Sequence, residues 1–268
     1  MSISRALLWF FTSLVLIFLI LPNLVVIPIS FNPTSVLAFP PTGFSLKWYA
    51  RYAELPGWID ATFVSFLVAI LTTVTSVTLG SLAAYALVRG DFPGKRILNA
   101  LILLPIIVPT LVTAVAVFLI FSRLRLSGTI IGFVIAHSVL AIPFVVTIMV
   151  AALRAIDPAF ENAARGLGAT RLQALRLVTL PMALPGIVSA ALFSFLVSFD
   201  ELLIALFLSS PRLATLPKKL WDGIRLEIEP TLAAVSTLLV TLSIAVLLGA
   251  TVARRLSARR GNGLATTP

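Results

Sequence analysis

Residues 154–185 read RAIDPAFENAARGLGATRLQALRLVTLPMALP, a charged, capped and punctuated segment set between two long apolar stretches. Asp157 before Pro158 reads as an N-cap followed by proline at the first helical position, where the absent N–H would have had no intrahelical partner. Phe160, Ala163, Ala164 and Leu167 then recur at i, i+3, i+4 and i+7, the spacing of one face of a short amphipathic helix. Gly166 and Gly168 close that helix, and Thr170 with Gln173 forms a capping box that opens a second one. The second helix is expected to stop before Leu180-Pro181, because proline disfavours helical backbone in the residue that precedes it. The segment therefore reads as a helix–turn–helix held between membrane spans.

The rest of the chain is apolar. Of 268 residues, 59% are hydrophobic and 11% charged, and the mean hydropathy is +1.10, which leaves too little polar surface to cover a soluble core. The expected fold is an all-α integral membrane protein with six transmembrane helices, at about 6–29, 61–88, 100–121, 129–153, 184–208 and 231–253. Each is near or above the ~20 residues that a helix needs to cross a hydrocarbon core. A closed barrel is excluded because the runs are continuously apolar and lack the alternation of barrel strands. The first run exceeds a signal-peptide core and has no clear small-x-small cleavage site, so it reads as a retained span. Residues 1–268 are thus expected to form one transmembrane domain, with the 154–183 loop inside it.

Charge orients the bundle. With the N-terminus cytoplasmic, the inner segments hold Arg5; Arg89, Lys95 and Arg96; Arg154, Arg165, Arg171 and Arg176; and Arg254, Arg255, Arg259 and Arg260. The outer segments hold Lys47, Arg51, Arg123, Arg125, Arg212, Lys218, Lys219 and Arg225, offset by Glu54, Asp60, Asp222, Glu227 and Glu229. Basic residues gather on the cytoplasmic side of membrane proteins, so both termini and the 154–183 loop are expected inside. The net charge of +10 is accounted for by this topology rather than by nucleic-acid binding. Two long outer loops, 31–60 and 209–230, carry Trp48, Trp58 and Trp221, expected as an interfacial aromatic belt in preference to a cage for an amine.

Catalytic chemistry finds no footing. There is no Cys, and the single His137 cannot build a metal centre alone. The run Gly90-Asp91-Phe92-Pro93-Gly94-Lys95-Arg96 has the wrong glycine spacing for a phosphate loop and no Ser or Thr after the lysine. No nucleophile–base signature is present. The chain is expected not to be an enzyme and to bind no cofactor, with its energy arriving through a partner.

Glu161-Asn162-Ala163-Ala164, Gly168 and, after a nine-residue gap, Val178-Thr179-Leu180-Pro181 closely resemble the "EAA" loop of membrane permease subunits of bacterial ATP-binding-cassette importers, written E-A-A-x3-G-x9-I-x-L-P. The family's glutamate register falls on Asn162, with Glu161 one residue earlier, which leaves open whether Glu161 replaces the usual carboxylate. The resemblance implies a type I importer permease in the bacterial inner membrane. It also implies that Glu161, Asn162, Ala163, Ala164, Gly168, Leu180 and Pro181 form a coupling site for a cytoplasmic ATPase dimer, the subunit that uses ATP. A second permease subunit, homologous or identical, and an extracytoplasmic solute-binding protein complete the implied assembly, surrounded by membrane lipid.

Asp200 and Glu201 fall about two-thirds of the way along the expected fifth span, where a carboxylate costs ~2.5–3.5 kcal/mol on insertion scales and therefore has a partner or faces a cavity. A salt bridge to another helix is one reading; a cation site on a translocation path is the other. Adjacent helical residues point about 100° apart, so Glu201 shares a stripe with Ser194 and Ser198 while Asp200 lies beside it. Ser198-Phe199-Asp200-Glu201, Thr215-Leu216-Pro217, Trp221 and Pro230 resemble the permeases of spermidine/putrescine importers, with Phe44-Ser45-Leu46-Lys47-Trp48-Tyr49 of similar character. That resemblance implies a substrate path at Ser198, Asp200 and Glu201 and a polyamine or related cation as solute. Opine, iron and phosphonate importers use related permeases, and a self-contained secondary transporter is the rival from another class. His137 reads as a core histidine, and Pro105, Pro109 and Pro143 as kinks or interruptions that membrane helices tolerate.

Overall fold

The computed structural model describes residues 3–226 and 229–244. Its helices are α1 (Ile3–Ile29), α2 (Lys47–Glu54), α3 (Trp58–Arg89), α4 (Lys95–Ile107), α5 (Thr110–Arg123), α6 (Ile130–Arg154), α7 (Pro158–Gly166), α8 (Arg171–Ala174), α9 (Leu180–Phe199), α10 (Leu203–Leu208) and α11 (Leu216–Leu226), followed by α12 (Pro230–Ile244). A π-helical turn, Leu175–Thr179, joins α8 to α9. The described residues fall into two compact units, one within 1–58 and 220–268 and one within Ile59–Lys219.

Among the described residues, four helices are long and apolar enough to cross a membrane, Leu7–Ile29, Trp58–Arg89, Ile130–Arg154 and Arg171–Phe199. The expected third span, 100–121, is not one helix: α4 and α5 meet at a bend of 103°. Pro109 causes the break, since Val108 before it is extended (φ −74°, ψ 130°) and proline has no N–H to continue the ladder. The expected fifth span, 184–208, is shifted. Its helix runs from Arg171 through Pro181 and Pro185 to Phe199 and then stops, so the second helix of the loop does not end before Leu180-Pro181. Proline removes an N–H and collides with the carbonyl four residues back. The π turn absorbs this by widening the ladder, with the Leu180 N–H donating to the Leu175 carbonyl five residues back. The expected last span, 231–253, is described only as far as Ile244, and the basic cluster Arg254 to Arg260 lies outside the described residues, as does Glu227.

In the unit Ile59–Lys219, α6 is the central helix, with more than half of its apolar window buried. One end of it packs with α3, α5 and α10 through Phe133, Leu140, Val68, Phe121 and Ile204. The other packs with α3 and α9 through Met149, Leu153, Ala84 and Ala183. Helices in lipid associate by close packing of small residues rather than by the hydrophobic effect, and Gly186 of α9 lies directly against Ala152 of α6. A Cβ added at Gly186 would overlap the Ala152 Cβ, which no rotamer change can relieve. Gly186→Ala is therefore expected to destabilise the bundle by about 1–3 kcal/mol, read as a lower melting temperature in detergent, despite the better helix propensity of alanine.

In the other unit, α1 is bare along its whole apolar window. The turn after it is closed by polar bonds: the Trp48 indole N–H donates to the Asn32 carbonyl (2.7 Å), the Ser30 and Tyr49 hydroxyls are 2.6 Å apart, and Phe31 stacks on Phe44 at 4.7 Å. Arg51 grips the Glu229 carboxylate in a two-pronged ion pair. Trp48 and Trp58 are buried, so neither is the interfacial belt residue expected of it. Trp221 carries the Arg225 guanidinium 4.7 Å from its ring centre.

Candidate functional site

The helix–turn–helix forms as its caps dictate. The Ala159 N–H donates to the Asp157 carboxylate (2.8 Å), with Pro158 at the first helical position. At the far end the Gly168 N–H donates to the Arg165 carbonyl and the Ala169 N–H to the Ala164 carbonyl, the paired bonds of a Schellman turn. Gly168 has φ +95°, a left-handed conformation that only glycine adopts without strain. The capping box is complete, with the Gln173 N–H donating to Thr170 Oγ1 and the Thr170 N–H to Gln173 Oε1.

No side chain of α7 is buried, so apolar packing does not fix its orientation. A polar clamp does. Arg89, the last residue of α3, donates from Nε to Glu161 Oε1 (3.0 Å) and from Nη2 to the Ile156 carbonyl (2.8 Å). The Tyr85 hydroxyl, one turn earlier, donates to Glu161 Oε2 (3.3 Å). Both charged side chains are largely shielded, 15% and 12% exposed. Removing one partner from so shielded a pair leaves the other charge uncompensated, which costs more than the pair itself stabilises. Ile156, two residues before α7, is buried in the core with Leu153 and Ala84, so the clamp ties α7 to a point already rooted in the bundle.

This arrangement separates the two candidate residues of the glutamate register. Glu161 is engaged internally, whereas Asn162 is exposed beside it. Both line a cleft of about 650 Å³ with Tyr85, Arg89, Arg165 and Arg171. Three guanidiniums and one carboxylate make the cleft unsuited to a cation. Around it Phe160, Leu167 and Leu172 are exposed, Leu167 at 91%, and Ala163 is exposed with Ala164 half-buried. Leu180 and Pro181 do not join the cleft; Leu180 lines a separate apolar crevice of about 300 Å³ that shares Tyr85 and Leu175 with it.

The membrane acids are arranged differently from the expected mid-helix pair. Asp200 is the C-cap of α9 and exposed, its N–H donating to the Leu196 carbonyl. Glu201 lies in the break and accepts the Ile204 N–H at Oε1 (2.9 Å), capping α10. Neither makes an ion pair among the described residues. Ser198 is buried, with its hydroxyl 2.8 Å from His137 Nδ1 across α9 and α6. It is thus a contact between helices. Sequence reasoning missed Tyr85 and Arg89, since 72 residues separate Arg89 from Glu161 and an arginine ending a span reads only as a topology signal. It also missed the His137–Ser198 bond, for which no spacing rule exists.

The Binding-protein-dependent transport system inner membrane component family matches residues 76–259, and the chain belongs to it. It is a permease subunit of an ABC importer, a multi-pass protein of the bacterial inner membrane, and this excludes the secondary-transporter alternative. It is 27% identical over 261 residues to the spermidine/putrescine transport system permease protein PotC of Shigella flexneri, covering 97% of this chain and 98% of that one. It is 31% identical over 229 residues to the putrescine transport system permease protein PotI of Escherichia coli, covering 83% and 81%. The trehalose transport system permease protein SugB of Mycobacterium tuberculosis is 33% identical over 218 residues, covering 80% of each chain. A chain of a bacterial ABC transporter that imports the acidic polysaccharide alginate has the same fold, with a TM-score of 0.71, 19% identity, and coverage of 95% of this chain and 98% of that one.

Proposed function

We propose that this permease carries a polyamine or related organic cation, with both termini and residues 154–183 cytoplasmic. The observation that carries the solute reading is Asp200. A helix C-terminus concentrates unsatisfied carbonyls and a partial negative charge, and a carboxylate placed there without an ion-pair partner among the described residues forms a negative centre that a cation relieves. Agreement with the solutes named for PotC and PotI supports the reading; SugB, at similar identity, is the reason to test a disaccharide beside them. Glu161, Asn162, Ala163, Ala164, Gly168, Leu180 and Pro181 serve the ATPase contact in this reading, with Phe160, Leu167 and Leu172 as its apolar surface. A dimer of cytoplasmic ATPase subunits uses the ATP, a second permease subunit completes the path, and an external binding protein delivers the solute.

Proteoliposomes that hold the assembled permease pair and ATPase, supplied with ATP and the cognate binding protein, are expected to take up labelled putrescine or spermidine. Uptake of trehalose instead would overturn the solute assignment. Orientation is tested separately, since the chain has no native cysteine. In intact cells, Ser35→Cys is expected to react with an impermeant maleimide and Asp91→Cys to remain unlabelled until the membrane is opened.

A further inference from the structure

We infer that Arg89 is the positioning residue that makes α7 and α3 one lever, so that movement of the ATPase-facing helix is passed along α3 to the outer side of the bundle. The inference rests on the coupling reading of residues 158–181 and adds to it the residue and helix that receive the movement. Three observations carry it. First, no residue of α7 is fully buried, and Arg89 holds the helix through the Glu161 carboxylate while binding the Ile156 carbonyl just before it, so a rotation or shift of α7 pulls directly on the end of α3. Second, α3 is built to transmit. It runs as one unbroken helix of 32 residues, and of the four membrane-length helices among the described residues it alone has no proline to interrupt the ladder: α1 contains Pro22 and Pro28, α6 Pro143, and the helix ending at Phe199 Pro181 and Pro185. Third, the other end of α3 is also tied. Ser65 Oγ accepts the Leu216 N–H at 2.7 Å, with both residues buried. A desolvated bond of this kind has no water to replace it. It joins α3 to the start of α11, in the 209–230 loop assigned to the outer face.

The test uses the complete importer in proteoliposomes and reads ATP hydrolysis with and without loaded binding protein, together with solute taken up per ATP. Strong stimulation of the wild-type complex is the reference; its absence would overturn the coupling reading and this inference with it. Arg89→Ala is expected to lower stimulated hydrolysis and solute per ATP at least fivefold, with complex assembly within twofold of wild type. Arg89→Lys, which supplies a charge to Glu161 but not the two-point grip, is expected to fall between. The exchange of charges in Arg89→Glu with Glu161→Arg is expected to recover part of the coupling that either single change removes. Ser65→Ala is expected to lower stimulation while basal hydrolysis stays unchanged. Normal stimulation and stoichiometry per assembled Arg89→Ala complex would overturn the inference, including the case where only the amount of complex falls. Normal stimulation in Ser65→Ala would remove α3 as the route to the outer side.

Discussion

Gly168→Val is expected to abolish most of the stimulation of ATP hydrolysis by loaded binding protein while leaving the permease in the membrane. Gly168 is the left-handed residue of the Schellman turn, φ +95°, and a Cβ built there meets nothing within 4 Å. The Cβ itself therefore collides with nothing, and the strain starts in the backbone. A left-handed conformation costs an L-residue about 1–2 kcal/mol, more for a β-branched one. The chain escapes that strain by opening the turn, which breaks the bonds from Gly168 to Arg165 and from Ala169 to Ala164 and frees the angle between α7 and α8. Gly166, two residues earlier, is the internal control. It is the last residue of α7 and its Cβ position is equally empty, but its backbone is helical. There alanine is expected to stabilise the helix by up to about 1 kcal/mol and to leave coupling intact. Equal loss at both glycines, or full stimulation with valine at 168, would remove the turn from the mechanism.

The contrast between these two glycines shows why this part of the site was readable. The Asp157 cap, the Thr170–Gln173 box and the Gly168 turn are interactions within a few residues, so residue type and spacing contain them. The breaks at Val108-Pro109 and at Asp200–Leu202 are different. Pro109 is visible, but the surrounding run is apolar on both sides, and hydropathy cannot tell a kink from a bend of 103°. Passage of the helix through Pro181 depends on the π turn at Leu175–Thr179, for which sequence spacing has no counterpart. The end of α9 depends on the Glu201 side chain choosing the Ile204 N–H. The Arg89–Glu161 and His137–Ser198 pairs depend on which helices adjoin, a consequence of packing small residues such as Gly186 against Ala152. Trp48 misled because an indole that would suit an interface also suits a buried corner when a carbonyl, here that of Asn32, accepts its N–H.

The two adjacent acids should therefore behave unequally. Glu201 has a structural task, accepting a backbone N–H, and Glu201→Gln preserves an oxygen that can do the same, so transport is expected to change less than twofold. Asp200 makes no ion pair among the described residues and lies at the negative end of α9, where its charge is unfavourable unless a cation arrives. Asp200→Asn keeps the shape of the side chain and removes that charge. At an effective dielectric of ~20, two unit charges 4 Å apart interact by about 4 kcal/mol. Exposure of Asp200 brings the effective figure down to about 1 kcal/mol, so polyamine uptake below saturation should fall roughly fivefold. Assembly with the ATPase and the hydrolysis it supports should persist, because Asp200 touches neither the cleft nor α7. A larger effect at Glu201→Gln than at Asp200→Asn would invert the assignment. Loss of folded protein with Asp200→Asn, restored by a compensating change on another helix, would make Asp200 half of a structural pair and withdraw the observation on which the cation reading stands.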